Sequence, residues 1–400
     1  MAEDRLLTPL ELVLGGPLGI ERDTPPLPDV EPGMTPLAIL EDAIRLGLER
    51  PPCLVLFSGG RDSSGVLAVA TGLARRLGLE LPIPLTFRFP GIAGAEEGEW
   101  QEQVVRHLAL DNWLRHDIDD QLDLLGPYAT RVLLKHGIIW PPNAFVLSIA
   151  TEAAEGGSVV TGSFGDEMFD PVSRLVATRS AAAGESLLGA RNLLHMGLVL
   201  SPKSVRRRVA GRRYLKEHHL PPWLSQGLLP EARLAVANEL ADMHLRWDTA
   251  IKAAWRRRYT QVVGQVLEML ADDGGSRLVA PFGDPRFRVA FARLGGSRGF
   301  RSRTEAMQGL FEGLLPTTLI QRSSKATFGG VFWNRRSLAF ARDWTGAGLD
   351  PHLVDIEVLR QLWNWDPTGP ETPDFRSAAL FQAAWLAAKG HVTPVSPARR

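Results

Sequence analysis

The 400-residue sequence has a single cysteine, Cys53. That excludes an internal disulfide framework and any zinc site built on cysteine; at the start of an apolar run, Cys53 reads as a packed thiol. With 45 basic and 45 acidic side chains the net charge is zero, so no global field draws the chain to nucleic acid or to a membrane surface. No apolar run approaches the ~20 residues a membrane-crossing helix needs. The nine histidines show no metal-ligand spacing, and the adjacent His218 and His219 cannot easily face one site. The opening stretch, MAEDRLLTPLELVLGG, turns acidic at once and lacks a basic segment, which argues against a secretory signal. The expected setting is cytoplasmic. Lysine is scarce too: only Lys135, Lys203, Lys216, Lys252, Lys325 and Lys389 stand among the 45 cations. Where arginine is routine, a lysine just before a glycine turn, as Lys325 is in SSKATFGG, hints at selection for a compact charge.

The apolar fraction of 44% and charged fraction of 22% are those of a soluble globular chain. Its most informative stretch is residues 54–64, LVLFSGGRDSS, a short apolar strand running into a glycine turn, an aspartate and two serines. Each residue type has a task if the ligand is a nucleotide pyrophosphate. Gly59 and Gly60 let backbone N–H groups approach an anion closely. Ser58, Ser63 and Ser64 add hydroxyl donors, and the following helix points its positive end at the phosphates. Asp62 would repel phosphate but suits the Mg²⁺ that accompanies ATP. Alone, such a turn is also what an ordinary strand–helix junction with an Asp N-cap looks like.

A second segment, residues 158–170, reads SVVTGSFGDEMFD. A β-branched strand again ends in a glycine-containing turn, and Asp166 and Glu167 follow. Asp166 would stand at the carboxyl end of a strand, the edge at which open α/β sheets hold ligands. Asp62 and Asp166 could then share one hard cation.

Together the two segments resemble the signature of the asparagine synthetase family of ATP-pyrophosphatases, SGG-x-DSS followed by TG-x-G-x-DE. The resemblance implies an α/β fold: a parallel-sheet ATP-pyrophosphatase core, of the adenine nucleotide alpha hydrolase-like kind, with a helical C-terminal part. It further implies ATP contacts from Leu56 in the base pocket, from the Thr86–Phe87–Arg88 strand end whose backbone reads the adenine, and from Thr161–Gly162. Ser58, Gly59, Gly60, Asp62, Ser63 and Ser64 would cradle the pyrophosphate, and Asp62 and Asp166 would ligate Mg²⁺. Residues 278–286, LVAPFGDPR, are similar to the family's P-x-x-D segment. Residues 315–333 resemble the stretch carrying R-x-x-K before a glycine-rich turn, which implies that Lys325, helped by Arg322, neutralises charge on the triphosphate. The likeness covers roughly residues 35–390, and the first two motifs are its specific part.

Two departures shape the expected activity. Asparagine synthetases open with a glutamine-hydrolysing domain and its cysteine nucleophile, whereas residue 2 here is alanine and the likeness begins near residue 35. Ammonia from glutamine is therefore not expected of this chain by itself. Within TG-x-G-x-DE, asparagine synthetases carry Glu and β-lactam synthetases a Tyr base at the first variable position; here Ser163 stands there and Phe164 replaces the glycine. Serine without a partner is a poor general base, and Phe164 is expected to narrow or reshape the acceptor pocket. Asparagine production is disfavoured. Lasso-peptide macrocyclases, divergent relatives that close amide bonds in natural-product pathways, are the nearer type, and PPWL at Pro221–Leu224 is similar to a stretch of those enzymes.

Along the chain, the Pro- and Gly-rich residues 1–34 read as an extended arm. A helix is expected from Thr35, with Thr as N-cap and Pro36 at its first position. Strands and helices then alternate in units of about 30 residues, the length of a βαβ crossover: a nucleotide sheet over about 50–175. Strand signals fade after that, and a helical part is expected over about 176–390, with a tail at 391–400. The basic run Arg206–Arg208, Arg212, Arg213 and Lys216 reads as a solvated helix face, with a local dock for an acidic peptide or tRNA-like anion as the lesser reading.

The expected function is therefore an ATP-dependent carbon–nitrogen ligase that adenylates a carboxylate, releases pyrophosphate and passes the acyl group to an amine. Its partners would be small-molecule or peptide carboxylates and amines, with a carrier or precursor peptide in a biosynthetic pathway; membrane and nucleic acid are not expected partners. Three alternatives stand beside it: a tRNA-modifying ATP-pyrophosphatase, which usually needs the cysteines missing here; a non-catalytic ATP-binding homologue; and an ammonia-using synthetase with a separate glutaminase.

Overall fold

The computed structural model describes residues 6–92, 94–95, 97–169, 197–213, 220–322, 326–367, 369 and 371–396. Runs of three to six residues form five parallel strands: β1 (Cys53–Leu56), β2 (Ile83–Arg88), β3 (Leu114–Asp117), β4 (Ser158–Val160) and β5 (Arg277–Val279). Their order is β3-β2-β1-β4-β5. The central strands CLVL and SVV are buried along almost their whole length, as parallel strands covered on both faces must be. The edge strand β3, LRHD, is exposed and charged, which discourages pairing with another chain. Val55 lies beside Val160 in β4, and Leu56 beside Leu85 in β2, so the carboxyl ends of β1 and β4 finish at the same level.

Two helix pairs cover the sheet. Helix α2 (Pro36–Leu48) packs against α3 (Arg61–Leu77) and reaches β4 and β5, while α6 (Val146–Ala153) packs against β4 and the later helix Arg258–Asp273. Thr35 caps α2 by accepting from Ala38 N at 3.1 Å, with Pro36 next, as expected. Cys53 is buried under this layer, and burial pushes its thiol up to about 11, which keeps it protonated. The α/β core with a helical C-terminal part is present.

The helical part includes Leu229–Leu240, Trp247–Ala253 and Arg258–Asp273. Two expectations need correction. The reading of fading strand signals after residue 175 missed β5, a three-residue edge strand whose RLV run is too short to register by periodicity. The arm at 1–34 is not extended throughout: Pro9–Leu14 forms helix α1, closed by a reciprocal Thr8–Glu11 capping box. As for the basic run, Lys203, Arg207, Arg208 and Arg212 are exposed on the helix Lys203–Arg213, while Arg206 donates to the Met243 carbonyl at 2.9 Å; Lys216 lies outside the described residues. Among the described residues no helix is long and apolar enough to cross a membrane.

Arg258 holds the arm in place. Its guanidinium meets both oxygens of buried Glu11 at 2.6 and 3.0 Å, Glu21 at 2.8 Å and the Leu6 carbonyl at 2.9 Å. Burial raises the Glu11 pKa, but the Arg258 bond and the Thr8 and Leu18 amides outweigh it and leave the carboxyl below its ordinary 4.5. Glu11 therefore contributes stability above that value, which is lost as pH falls through its lower folded pKa. Arg258→Leu should strand Glu11 and cost about 3–5 kcal/mol at pH 7. Urea titrations should show the deficit shrinking as Glu11 becomes protonated below about pH 4; a deficit independent of pH would exclude this ion pair as its source.

Candidate functional site

Strand β1 has β2 on one side and β4 on the other, so the chain leaves the sheet in opposite directions at the carboxyl ends of β1 and β4. That crevice is where open α/β sheets place their ligands. The turn after β1 is Ser58–Gly60 and the turn after β4 is Thr161–Gly165, and the second lies against Asp62 and Ser63 in the first turn of α3. A Cβ on Gly162 would lie 3.0 Å from Ser63 N, and one on Gly165 would fall 2.5 Å from the Asp62 carboxyl carbon. Only glycine lets Asp62 and its turn sit so close to the second motif.

The two turns form one rim of a cleft of about 520 Å³. Its polar end carries Ser58, Gly60, Asp62, Ser63, Thr161, Gly162 and Asp166, and its apolar end carries Leu56, Phe87, Phe89, Val146, Phe328 and Phe332. Residues expected from two segments 100 positions apart thus come together. Three of them stand apart from the lining. Gly59 makes the turn with φ of 85° and faces Gln101. Ser64 is buried and its hydroxyl donates to the Gly60 carbonyl at 2.8 Å, securing the first turn of α3. The Arg88 side chain is exposed and its Nε meets Asp117 at 2.6 Å, away from the cleft. Lys325 lies outside the described residues.

Charge in the cleft is balanced by two arginines, Arg322, which the family resemblance named, and Arg303, which sequence reading did not single out. Arg303 opens the helix Arg303–Phe311 and spans both expected metal ligands, with Nη2 2.5 Å from Asp62 Oδ2 and Nη1 2.7 Å from Asp166 Oδ1. Burial raises the Asp62 pKa above its ordinary value, and the Arg303 cation only partly offsets it. Nothing in GSRGFRSRTEAM separates Arg303 from its neighbours Arg298 and Arg301. Glu97, one of two adjacent glutamates, was equally invisible. It is buried, as is its partner Arg322, whose Nη2 bonds Glu97 Oε1 while Nη1 donates to the Gly59 carbonyl at 2.8 Å. The Ala326 amide donates to the same Glu97 oxygen at 3.0 Å. Gln101 completes the support by donating to the Ser58 carbonyl at 2.9 Å. Arg322 is thereby braced against the first turn, and Glu97 joins Arg322 to Ala326.

The rest of the second motif turns away. Phe164 keeps the left-handed backbone of the glycine it replaces, with φ of 70°. Its ring packs against Gly283 and borders a separate cavity of about 630 Å³ rather than the cleft, contrary to the expectation that it narrows an acceptor pocket there. The Ser163 hydroxyl lies 2.9 Å from the Thr161 hydroxyl. Burial raises the pKa of Glu167, which is hydrogen-bonded to Tyr259 and sits near the fully buried Arg288.

An oxygen-seeking cation fits Asp62 and Asp166: both are hard ligands, and Asp62 Oδ1 is buried with no hydrogen-bond partner. Among the described residues no group of three or more His, Cys, Asp or Glu forms a metal cage. Phosphate oxygens would have to complete the shell, which is how Mg²⁺ is usually held beside a nucleotide.

A family model described as asparagine synthase matches residues 37–386. Comparison with curated proteins found no match.

Glu97→Gln should cost about 3–5 kcal/mol, because it leaves the Arg322 cation buried without its counter-charge. Adding Arg322→Met should recover part of that loss, since the two residues act as a pair. Strictly additive losses in chemical denaturation would show that the two act independently.

Proposed function

The chain belongs to the asparagine synthase family, whose members are ATP-dependent carbon–nitrogen ligases, and on that premise we propose that it joins a carboxylate to an amine through an acyl-adenylate. The observation that carries this reading is the meeting of the Ser58–Ser64 and Thr161–Asp166 segments at one cleft, with Asp62 and Asp166 side by side and an apolar pocket beyond them.

In the proposed reaction the substrate carboxylate oxygen attacks the α-phosphorus of ATP. The bond to the β-phosphate oxygen breaks and pyrophosphate leaves. The amine nitrogen then attacks the acyl carbon, loses a proton and displaces AMP, a far better leaving group than oxide. Leu56, Phe87 and Phe89 would enclose the base, and Thr161–Gly162 would hold the nucleotide. Ser58, Ser63 and the amides of Gly59 and Gly60 would orient the β- and γ-phosphates. Asp62 and Asp166 would hold Mg²⁺, which when bound neutralises phosphate oxygens. Lys325 is assigned from the family resemblance as the cation that stabilises charge developing on the departing pyrophosphate. Most of the rate would come from positioning and fixed charge.

For the substrates we favour an acid and an amine of natural-product or peptide biosynthesis, lasso-type macrolactam formation included, over free aspartate and ammonia. The lack of an ionisable residue at Ser163 supports that choice. The same replacement favours one second reading, a homologue that binds ATP without turning it over.

Exchange of labelled pyrophosphate into ATP, screened across candidate acids and peptides, tests the first half-reaction. Exchange with at least one acid is expected; ATP binding without AMP formation would favour the second reading, and ADP as product would overturn the proposal. Asp62→Asn should abolish exchange with the fold intact. Lys325→Ala should lower the AMP-forming rate by about 10²–10³ while changing the ATP dissociation constant little, and Lys325→Arg should rescue little. Equal losses in rate and binding would make Lys325 a ground-state phosphate contact.

A further inference from the structure

Arg303 occupies the place expected of a metal ion. Its two terminal nitrogens span Asp62 and Asp166 at 2.5 and 2.7 Å, and its side chain is only 12% exposed. Asp62, 19% exposed, and Asp166 bring two carboxylates together, an arrangement that calls for a cation between them. The guanidinium supplies it, in a bidentate reach that an ammonium could not match. A divalent ion on the same carboxylates would compete with it, because the two cations would then repel each other across one pair of side chains. A metal arriving alone would have to expel Arg303 into a cleft that already holds Arg61 and Arg322. A nucleotide arriving with the metal changes the balance, since its phosphate oxygens offer the displaced guanidinium a better partner than solvent. The backbone at Arg303 need not move: Ser302 caps the helix by accepting from Glu305 N at 3.1 Å, and Thr304 accepts from Arg61 at 3.3 Å. Only the side chain has to swing.

We propose that Arg303 is an exchangeable internal counter-ion that closes the carboxylate pair to divalent metal in the nucleotide-free protein and passes to the polyphosphate when ATP binds. This rests on the assignment of Asp62 and Asp166 as metal ligands for ATP. Metal and nucleotide would then bind with positive coupling carried by one side chain, a form of linkage typically worth about 5- to 150-fold in affinity.

Mn²⁺ binding to the full chain tests it, counted from the free-ion electron paramagnetic resonance signal with and without α,β-methylene-ATP. The wild-type protein should take up Mn²⁺ weakly alone and one ion per chain with the analogue. Arg303→Gln should bind Mn²⁺ without nucleotide at least about tenfold more tightly than wild type. Arg303→Lys, which keeps the charge without the span, should lie between them. A folded Arg303→Gln with no gain, or wild-type protein that binds Mn²⁺ equally well with and without the analogue, would overturn the proposal while leaving the metal assignment standing. If Arg303→Gln fails to fold, the wild-type comparison and Arg303→Lys decide. Should the analogue recruit no Mn²⁺ to wild-type protein, the metal assignment itself fails, and the counter-ion proposal with it.

Discussion

The close approach of two backbone turns at the carboxyl ends of β1 and β4 is the contact on which the rest of the site depends. Neither turn alone makes the cleft. The first supplies two serines and an aspartate over a helix start; the second supplies Thr161, Gly162 and Asp166. They become one cleft because residues 162 and 165 have no Cβ, which lets the second turn lie against Ser63 and Asp62. The parallel pairing of β1 with β4 sets the level at which the turns meet, so register and site are a single constraint.

Bringing the turns together buries negative charge, and the chain answers with arginine. Asp62 and Asp166 face Arg303, Glu97 faces Arg322, and outside the cleft Glu11 faces Arg258. In each case a planar guanidinium reaches two or more acceptors at once in a fixed geometry. Glu97 also shows how such pairs carry position. One carboxylate receives both the Arg322 side chain and the Ala326 amide, and Arg322 in turn grips the Gly59 carbonyl. The C-terminal segment is thereby tied to the first motif across more than 200 residues of sequence.

Much of this was legible in the sequence, and the physical reasons for what was not are specific. β1, β2 and β4 announce themselves as apolar runs ending in glycine turns, and the two acidic motifs carry their spacing openly. The family resemblance follows from those motifs. Strand β5 is three residues long, below the length at which alternation or apolar run can be told from a loop. Helix α1 hides in a proline-rich stretch, although Thr8 and Glu11 spell a capping box. Glu97 and Arg303 are invisible for another reason: a charge pair formed across 200 residues leaves no local pattern. Arg88 illustrates the reverse, since a strand-end residue named for its backbone turns its side chain to the neighbouring strand instead.

Phe164 joins the fold to the chemistry. A non-glycine residue in the left-handed region costs roughly 1–2 kcal/mol, and here burial of the ring against Gly283 offsets that cost. The ring consequently leaves the cleft, so the replacement alters the far side of the turn rather than the cleft lining. Ser163 is bonded to Thr161, and Glu167 is drawn toward Tyr259 and Arg288. Of the carboxylates lining the cleft, Asp62, Asp166 and Glu97 are each engaged by an arginine. None is placed as an idle base waiting for an amine proton. On the proposed reaction, then, the work falls to fixed charge: an adenylate made reactive by its leaving group, and a nucleophile that arrives as the neutral amine and passes its proton onward as AMP departs.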